Sequence, residues 1–141
     1  MPQHPAAPLP APRVFTQPMA MELLTPDTAV PIDTTVGYDS RTPHALTITF
    51  HLLGEEPVVW CFDREMILAG SLRPTGDGEI RLRPDPDGGL LLLLGPSGQR
   101  AVVKCDQEAL CRFVRETFVL VPQGTEDRHI DWGPLLASLR R

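Results

Sequence analysis

Two blocks of period-two hydrophobic alternation, each followed by a helical segment, predict an α+β fold with two antiparallel sheets and helices packed against them. Turn residues separate the alternating stretches at short intervals, as in a meander. Only one segment, beginning after Asp106, sustains apolar residues at spacings of three and four. The order is therefore strands, helix, strands, helix, without sequence repetition between the halves.

The stretch from Met1 to Pro18 mixes Pro with Ala, Gln and His without an apolar period, and reads as a disordered tail or loose polyproline II. Its Pro5-Ala6-Ala7-Pro8 is a PxxP of a kind that Pro-rich stretches produce by chance. A single domain is expected over residues 19–141. It opens with a strand around Met19 to Leu24. Val30, Ile32, Thr34, Val36 and Tyr38 share one face of the next, Leu46, Ile48, Phe50 and Leu52 one face of a third, and Val58, Trp60 and Phe62 one face of a fourth. Asp63 then N-caps a short helix, and Gly70 stands where a C′ glycine belongs.

The second block follows Pro74-Thr75-Gly76-Asp77-Gly78. Strands are expected over Glu79 to Arg83, Leu90 to Leu94 and Gln99 to Cys105, joined by the turns Asp87-Gly88-Gly89 and Gly95-Pro96-Ser97-Gly98. Five consecutive leucines imply a strand covered on both faces, by a helix on one side and a second sheet or subunit neighbour on the other. Asp106 caps the long helix, whose Leu110, Phe113, Val114, Thr117, Phe118 and Val121 form one stripe, and Pro122 and Gly124 stop it. Asp131 caps a last short helix with Pro134 in its first turn, an apolar face of Leu135, Leu136 and Leu139, and Arg140 and Arg141 at its C-terminal dipole.

The 141 residues match one domain, and such a chain buries roughly two thirds of its surface on folding without staples. Thirteen basic against eighteen acidic side chains give a formal charge of −5, which disfavours binding driven by phosphate neutralisation or anionic lipid. Residues 1–70 hold 3 basic and 8 acidic residues and residues 71–141 hold 10 of each, so any basic surface belongs to the second half. Three cysteines, Cys61, Cys105 and Cys111, cannot all pair within the chain, and a reducing cytoplasm fits them best. The longest aliphatic run, Leu90 to Leu94, is far shorter than a membrane span.

No GxSxG, P-loop, dinucleotide glycine run, HExxH or CxxC occurs, so no catalytic residue, metal or cofactor is assigned. An unmarked enzyme would need His51 or His129 to meet a carboxylate in a cleft. Zinc would need His44, His51 and Cys61 to converge, and buried free thiols at Cys105 and Cys111 are commoner than ligands. Trp60 shares a face with Val58 and Phe62 and reads as core. Alternation places Arg81 and Arg83 outward on one strand, and Arg73 precedes the loop leading to it. These three form the candidate partner-binding ridge for an acidic segment, set against the simpler reading of a solvated face.

Tyr38-Asp39, Pro43, Ala45, Thr49-Phe50-His51, Trp60, Phe62, Arg64, Gly70 and Arg73-Pro74-Thr75-Gly76 together resemble the SsgA-like regulators of sporulation-specific cell division in actinomycetes. The likeness continues through Gly78, Arg81, Ser97-Gly98, Val121-Pro122, Gly124-Thr125-Glu126, His129 and Asp131. The resemblance implies a whirly-like fold of helices on two antiparallel sheets and assembly into homo-oligomers. It further implies a non-enzymatic role in septum-site placement, through division proteins such as the tubulin-like FtsZ or family paralogues, with recruitment from the cytoplasm to the septum. The rival expectation is single-stranded nucleic-acid binding on the same fold, against which the net charge counts.

Overall fold

The computed structural model describes residues 8–140. His4, most of the Pro5–Pro8 motif and Arg141 lie outside them. Eleven elements follow in order: β1 (Val14–Leu24), β2 (Ala29–Asp39), β3 (Ala45–His51), β4 (Val58–Asp63), α1 (Arg64–Gly70), β5 (Ile80–Pro84), β6 (Leu90–Leu94), β7 (Ala101–Cys105), α2 (Gln107–Leu120), a 3-10 turn (Glu126–His129) and α3 (Gly133–Leu139).

All seven strands join one antiparallel sheet in the order β4-β3-β2-β1-β7-β6-β5. The two strand blocks exist as expected, but they are not separate sheets. Their junction is β1, which pairs along its whole length with β2 and, through Glu22, Leu23 and Leu24, with Lys104, Val103 and Val102 of β7. A strand of 11 residues offers both of its edges, and the sheet curls so that both halves bury apolar residues in one cluster. The core collects Met21, Val36, Ile48 and Phe62 from one half, Leu82, Leu92 and Val103 from the other, and Leu110, Phe113 and Val114 from α2.

β1 also starts earlier than expected. Val14 to Pro18 lie within the stretch assigned to a disordered tail, yet Val14 pairs with Asp39 and Phe15 with Tyr38. Phe15 packs against Phe113 at a ring-centroid distance of 4.7 Å, and Arg13 N–H donates to Ser40 Oγ at 2.8 Å. These contacts order a segment whose composition resembles a linker.

Within the leucine run, Leu90, Leu92 and Leu94 face the core and Leu91 and Leu93 the outer side. Leu91 is nevertheless buried, flanked in register by Arg83 of β5 and Lys104 of β7. The chain's own long side chains thus supply part of the outer cover that a neighbouring sheet or subunit was expected to give.

Both long-range helix starts follow their caps: Asp63 Oδ1 accepts from Glu65 N–H at 2.8 Å, and Asp106 Oδ1 from Ala109 N–H at 3.0 Å. Gly70 ends α1, but not as a left-handed C′ residue. A Cβ there would lie 2.5 Å from Leu82 Cβ, so glycine is required by the close approach of α1 to β5. At α3 the capping position is Trp132, while Asp131 Oδ1 accepts from Gly133 N–H at 3.0 Å.

Candidate functional site

The most concentrated polar chemistry surrounds Arg64, the first residue of α1 and fully buried. Its Nη2 donates to Glu126 Oε2 at 3.0 Å and to the Val121 carbonyl at 2.8 Å, and its Nη1 to Tyr38 Oη and Thr117 Oγ1, each at 3.2 Å. The guanidinium lies over the Phe118 ring, 3.9 Å from the centroid. Nε is the one buried side-chain donor without a partner among the described residues. A single side chain thereby ties β2, α1, α2 and the segment after α2 together.

Glu126 is held just as firmly. Its Oε1 accepts from Gly124 N–H at 2.7 Å, and His44 Nδ1 lies 3.8 Å from Oε2. Burial alone would raise this carboxyl's pKa. Hydrogen bonds from its own backbone, Arg64 and Gly124, with the Arg64 charge, instead bring it below its ordinary value. Tyr38 donates its hydroxyl proton to the Pro43 carbonyl at 2.9 Å, and burial raises its pKa despite Arg64.

The sequence segment Arg73-Pro74-Thr75-Gly76 also has a structural task. Thr75 exchanges two backbone hydrogen bonds with Leu82, at 2.8 and 2.9 Å, and so covers the outer edge of β5. Gly76 adopts φ +94°, and a Cβ there would sit 2.4 Å from the Ile80 carbonyl oxygen. Tyr38, Pro43, Arg64, Gly70, Thr75, Gly76, Gly124 and Glu126, all carriers of the resemblance, are thus scaffold residues.

Of the expected ridge, Arg81 and Arg83 are exposed on the outer face of β5, two residues apart. Arg73 is exposed at the turn after α1, close in sequence to the Thr75–Leu82 bridge. Arg81 Nη2 donates to the Asp77 carbonyl at 3.3 Å. Lys104, not anticipated as a neighbour, lies across Leu91 from Arg83 and pairs with Asp85 at 3.0 Å. The hydrogen bond from Lys104 holds the Asp85 carboxyl below its ordinary pKa.

Among the described residues the histidines do not assemble a site. His51 Nε2 shares a 2.7 Å hydrogen bond with Thr35 Oγ1, and the histidine facing a carboxylate is His44, whose Glu126 neighbour is already engaged by Arg64. No three His, Cys, Asp or Glu side chains converge as metal ligands among the described residues. Cys61 is exposed on β4, whereas Cys105 and Cys111 are buried, and burial pushes the Cys105 thiol up to about 12.

The opposite end of the sheet is open. There Leu23, Ile32, Phe50, Val58, Trp60 and Val103 line a groove of about 220 Å³ on the concave face. Trp60 is half-buried, packed on the core and facing this groove. No helix among the described residues is long and apolar enough to cross a membrane.

This chain matches the family described as "Streptomyces sporulation and cell division protein, SsgA" over residues 32–126. It is 36% identical over 109 residues to the sporulation-specific cell division protein SsgB of Streptomyces coelicolor, covering 74% of this chain and 79% of that protein. SsgB of Thermobifida fusca is 36% identical over 118 residues, covering 80% and 85%. The crystal structure of an SsgA-like sporulation-specific cell division protein from T. fusca superposes with a TM-score of 0.80 at 30% identity, over 90% of this chain and 96% of that one. A second solved structure, from work on SsgB mutations that correlate with longitudinal cell division during sporulation of S. coelicolor, gives a TM-score of 0.76 at 30% identity, over 84% and 96%. With these matches over most of its length, the chain belongs to the SsgA family of sporulation and cell division proteins.

Proposed function

We propose that this protein is a non-enzymatic regulator that helps to place septa during sporulation-specific cell division, working through contacts with division proteins. The observation that carries the reading is the family match over residues 32–126 together with relatives that are all sporulation-specific cell division proteins. The chemistry of the chain is consistent with it: in the densest cluster the buried Arg64 and Glu126 side chains hold elements of the fold together. In this reading the protein acts as a homo-oligomer and is recruited from the cytoplasm to the septum. Arg73, Arg81 and Arg83 receive an acidic segment of a division protein, bidentate guanidinium–carboxylate pairing giving orientation more than affinity.

A fluorescent fusion followed through sporulation, with a deletion strain beside it, tests the role. Signal gathering at nascent septa and misplaced septa in the deletion are expected. Diffuse signal at every stage with normally spaced septa would overturn it.

A further inference from the structure

Among the described residues, two apolar surfaces are extended and uncovered, and they lie at opposite ends. The first is on α3, which buries none of its residues. Trp132, Leu135, Leu136 and Leu139 follow the spacing i, i+3, i+4, i+7, and their exposures run from 44% to 72%. A seven-residue helix that buries none of its residues has little packing of its own to hold it. The second is the groove at the open end of the sheet.

Within one chain the two do not meet. Glu126 is tied to Arg64 at the closed end, the residues after it are taken up by the 3-10 turn, and Trp132 Nε1 donates back to the Asp127 carbonyl at 3.4 Å. The groove lies toward the other strand ends. Ile32, in its lining, and Tyr38, beside Arg64, are six residues apart on β2, roughly 20 Å.

Charge selects the occupant and its direction. The connection between groove residues Leu52 and Val58 carries Glu55 and Glu56, both exposed, while α3 ends on the exposed Arg140. On the opposite wall Arg100 adjoins groove residue Ala101 and donates to the Gly95 carbonyl at 3.3 Å. An apolar helix ending in a cation therefore fits with its C-terminal end toward Glu55–Glu56 and is repelled in the reverse orientation.

We propose that α3 of one copy seats in the groove of a second copy, with Leu135 and Leu139 against Trp60 and Val58 and Arg140 against Glu55 and Glu56. The inference deepens the homo-oligomer part of the reading above and rests on it. Such a contact joins unlike surfaces head to tail, so it either closes into a ring or extends.

Light scattering on the full chain at tens of micromolar tests it. Wild type is expected to be oligomeric. Leu135→Asp/Leu139→Asp and, separately, Val58→Asp are expected to be monomeric with native circular dichroism. Each variant keeps one intact surface, so mixing the two restores a single productive contact and gives heterodimers. Arg140→Glu weakens self-association by about tenfold or more, and combining it with Glu55→Arg/Glu56→Arg recovers it. The charge variants keep the groove testable if Val58→Asp does not fold. Oligomers of unchanged mass in both single-surface variants, or no heterodimer on mixing, overturn the α3–groove contact while leaving oligomerisation standing. A monomeric wild type overturns both and frees the groove for another partner.

Discussion

At one end of the sheet the Arg64 guanidinium joins two helices, a strand and the segment after α2; at the other, Val58 and Trp60 line an apolar groove whose lining, among the described residues, includes no helix. Tyr38, Pro43, Arg64, Gly124 and Glu126, carriers of the family likeness, meet at the first end, while Phe50 and Trp60, carriers too, line the groove at the second. Buried polar geometry needs particular side chains at particular distances, since an unpaired buried charge costs several kcal/mol. The open end needs only apolar character. It is also the end with apolar surface to offer a partner.

Breaking the closed end should produce the largest effect. Glu126→Ala leaves the Arg64 charge buried without its carboxylate and should cost about 3 to 5 kcal/mol, read from the urea midpoint at constant slope. Arg64→Met with Glu126→Leu replaces the pair by apolar groups and should be milder than either single change. A cost near zero for Glu126→Ala would show that the pair is incidental and that the two ends do not differ in this way.

Next in size is the early start of β1. Phe15→Ala removes the ring packed on Phe113 and Tyr38 and should cost about 2 kcal/mol, below the range for fully buried rings because Phe15 is only half-buried. A chain beginning at Met19 loses the same contacts and the Arg13–Ser40 pairing, so it should melt at least as far below wild type. Melting unchanged by the truncation would mark Val14 to Pro18 as an ornament to the sheet.

Acid should reach the closed end before the open one. The folded pKa of Glu126 lies below the ordinary 4.5, so its contribution is complete above that value and is lost as pH falls through the lower, folded value. Stability of wild type should fall across that window more steeply than that of Glu126→Gln, which no longer titrates there. Parallel curves would assign the acid sensitivity to other carboxylates, Asp39 and Asp85 first, because both are also held low by basic partners.

Much of the fold could be read from local pattern. The alternating strands, the caps Asp63 and Asp106 and the stripe of α2 depend on residues within a turn or two of each other, and each stands where the pattern puts it. The single sheet depends on three β1–β7 pairs between residues about eighty apart, which no local period announces. Alternation likewise told which way Trp60 points but not that it fronts an open groove. In the sequence Arg64 stands out only as a carrier of the resemblance. One signal was present: a cation in the first turn opposes the helix dipole, and such a residue needs a reason, here Glu126. The outward face of Arg81 and Arg83 was legible from alternation, while Lys104 beside Arg83 required the register of three strands.

The smallest expected effect concerns that ridge. Arg81→Glu/Arg83→Glu changes two exposed side chains on an outer face, so cooperative unfolding should persist, with a loss of about 1 kcal/mol at most as the stems beside Leu91 and Leu93 are shortened. Each exposed pair with an acidic partner contributes only about 0.2 to 1 kcal/mol, so association with a division protein should weaken modestly and chiefly through its on-rate. Salt supplies the decisive readout. Wild-type association should slow as ionic strength rises and the double variant's should not, because the steering charge has already been removed. Equal rates and equal salt slopes for the two proteins would reduce Arg81 and Arg83 to covers for the leucine strand, a task their position across from Leu93 and Leu91 already gives them.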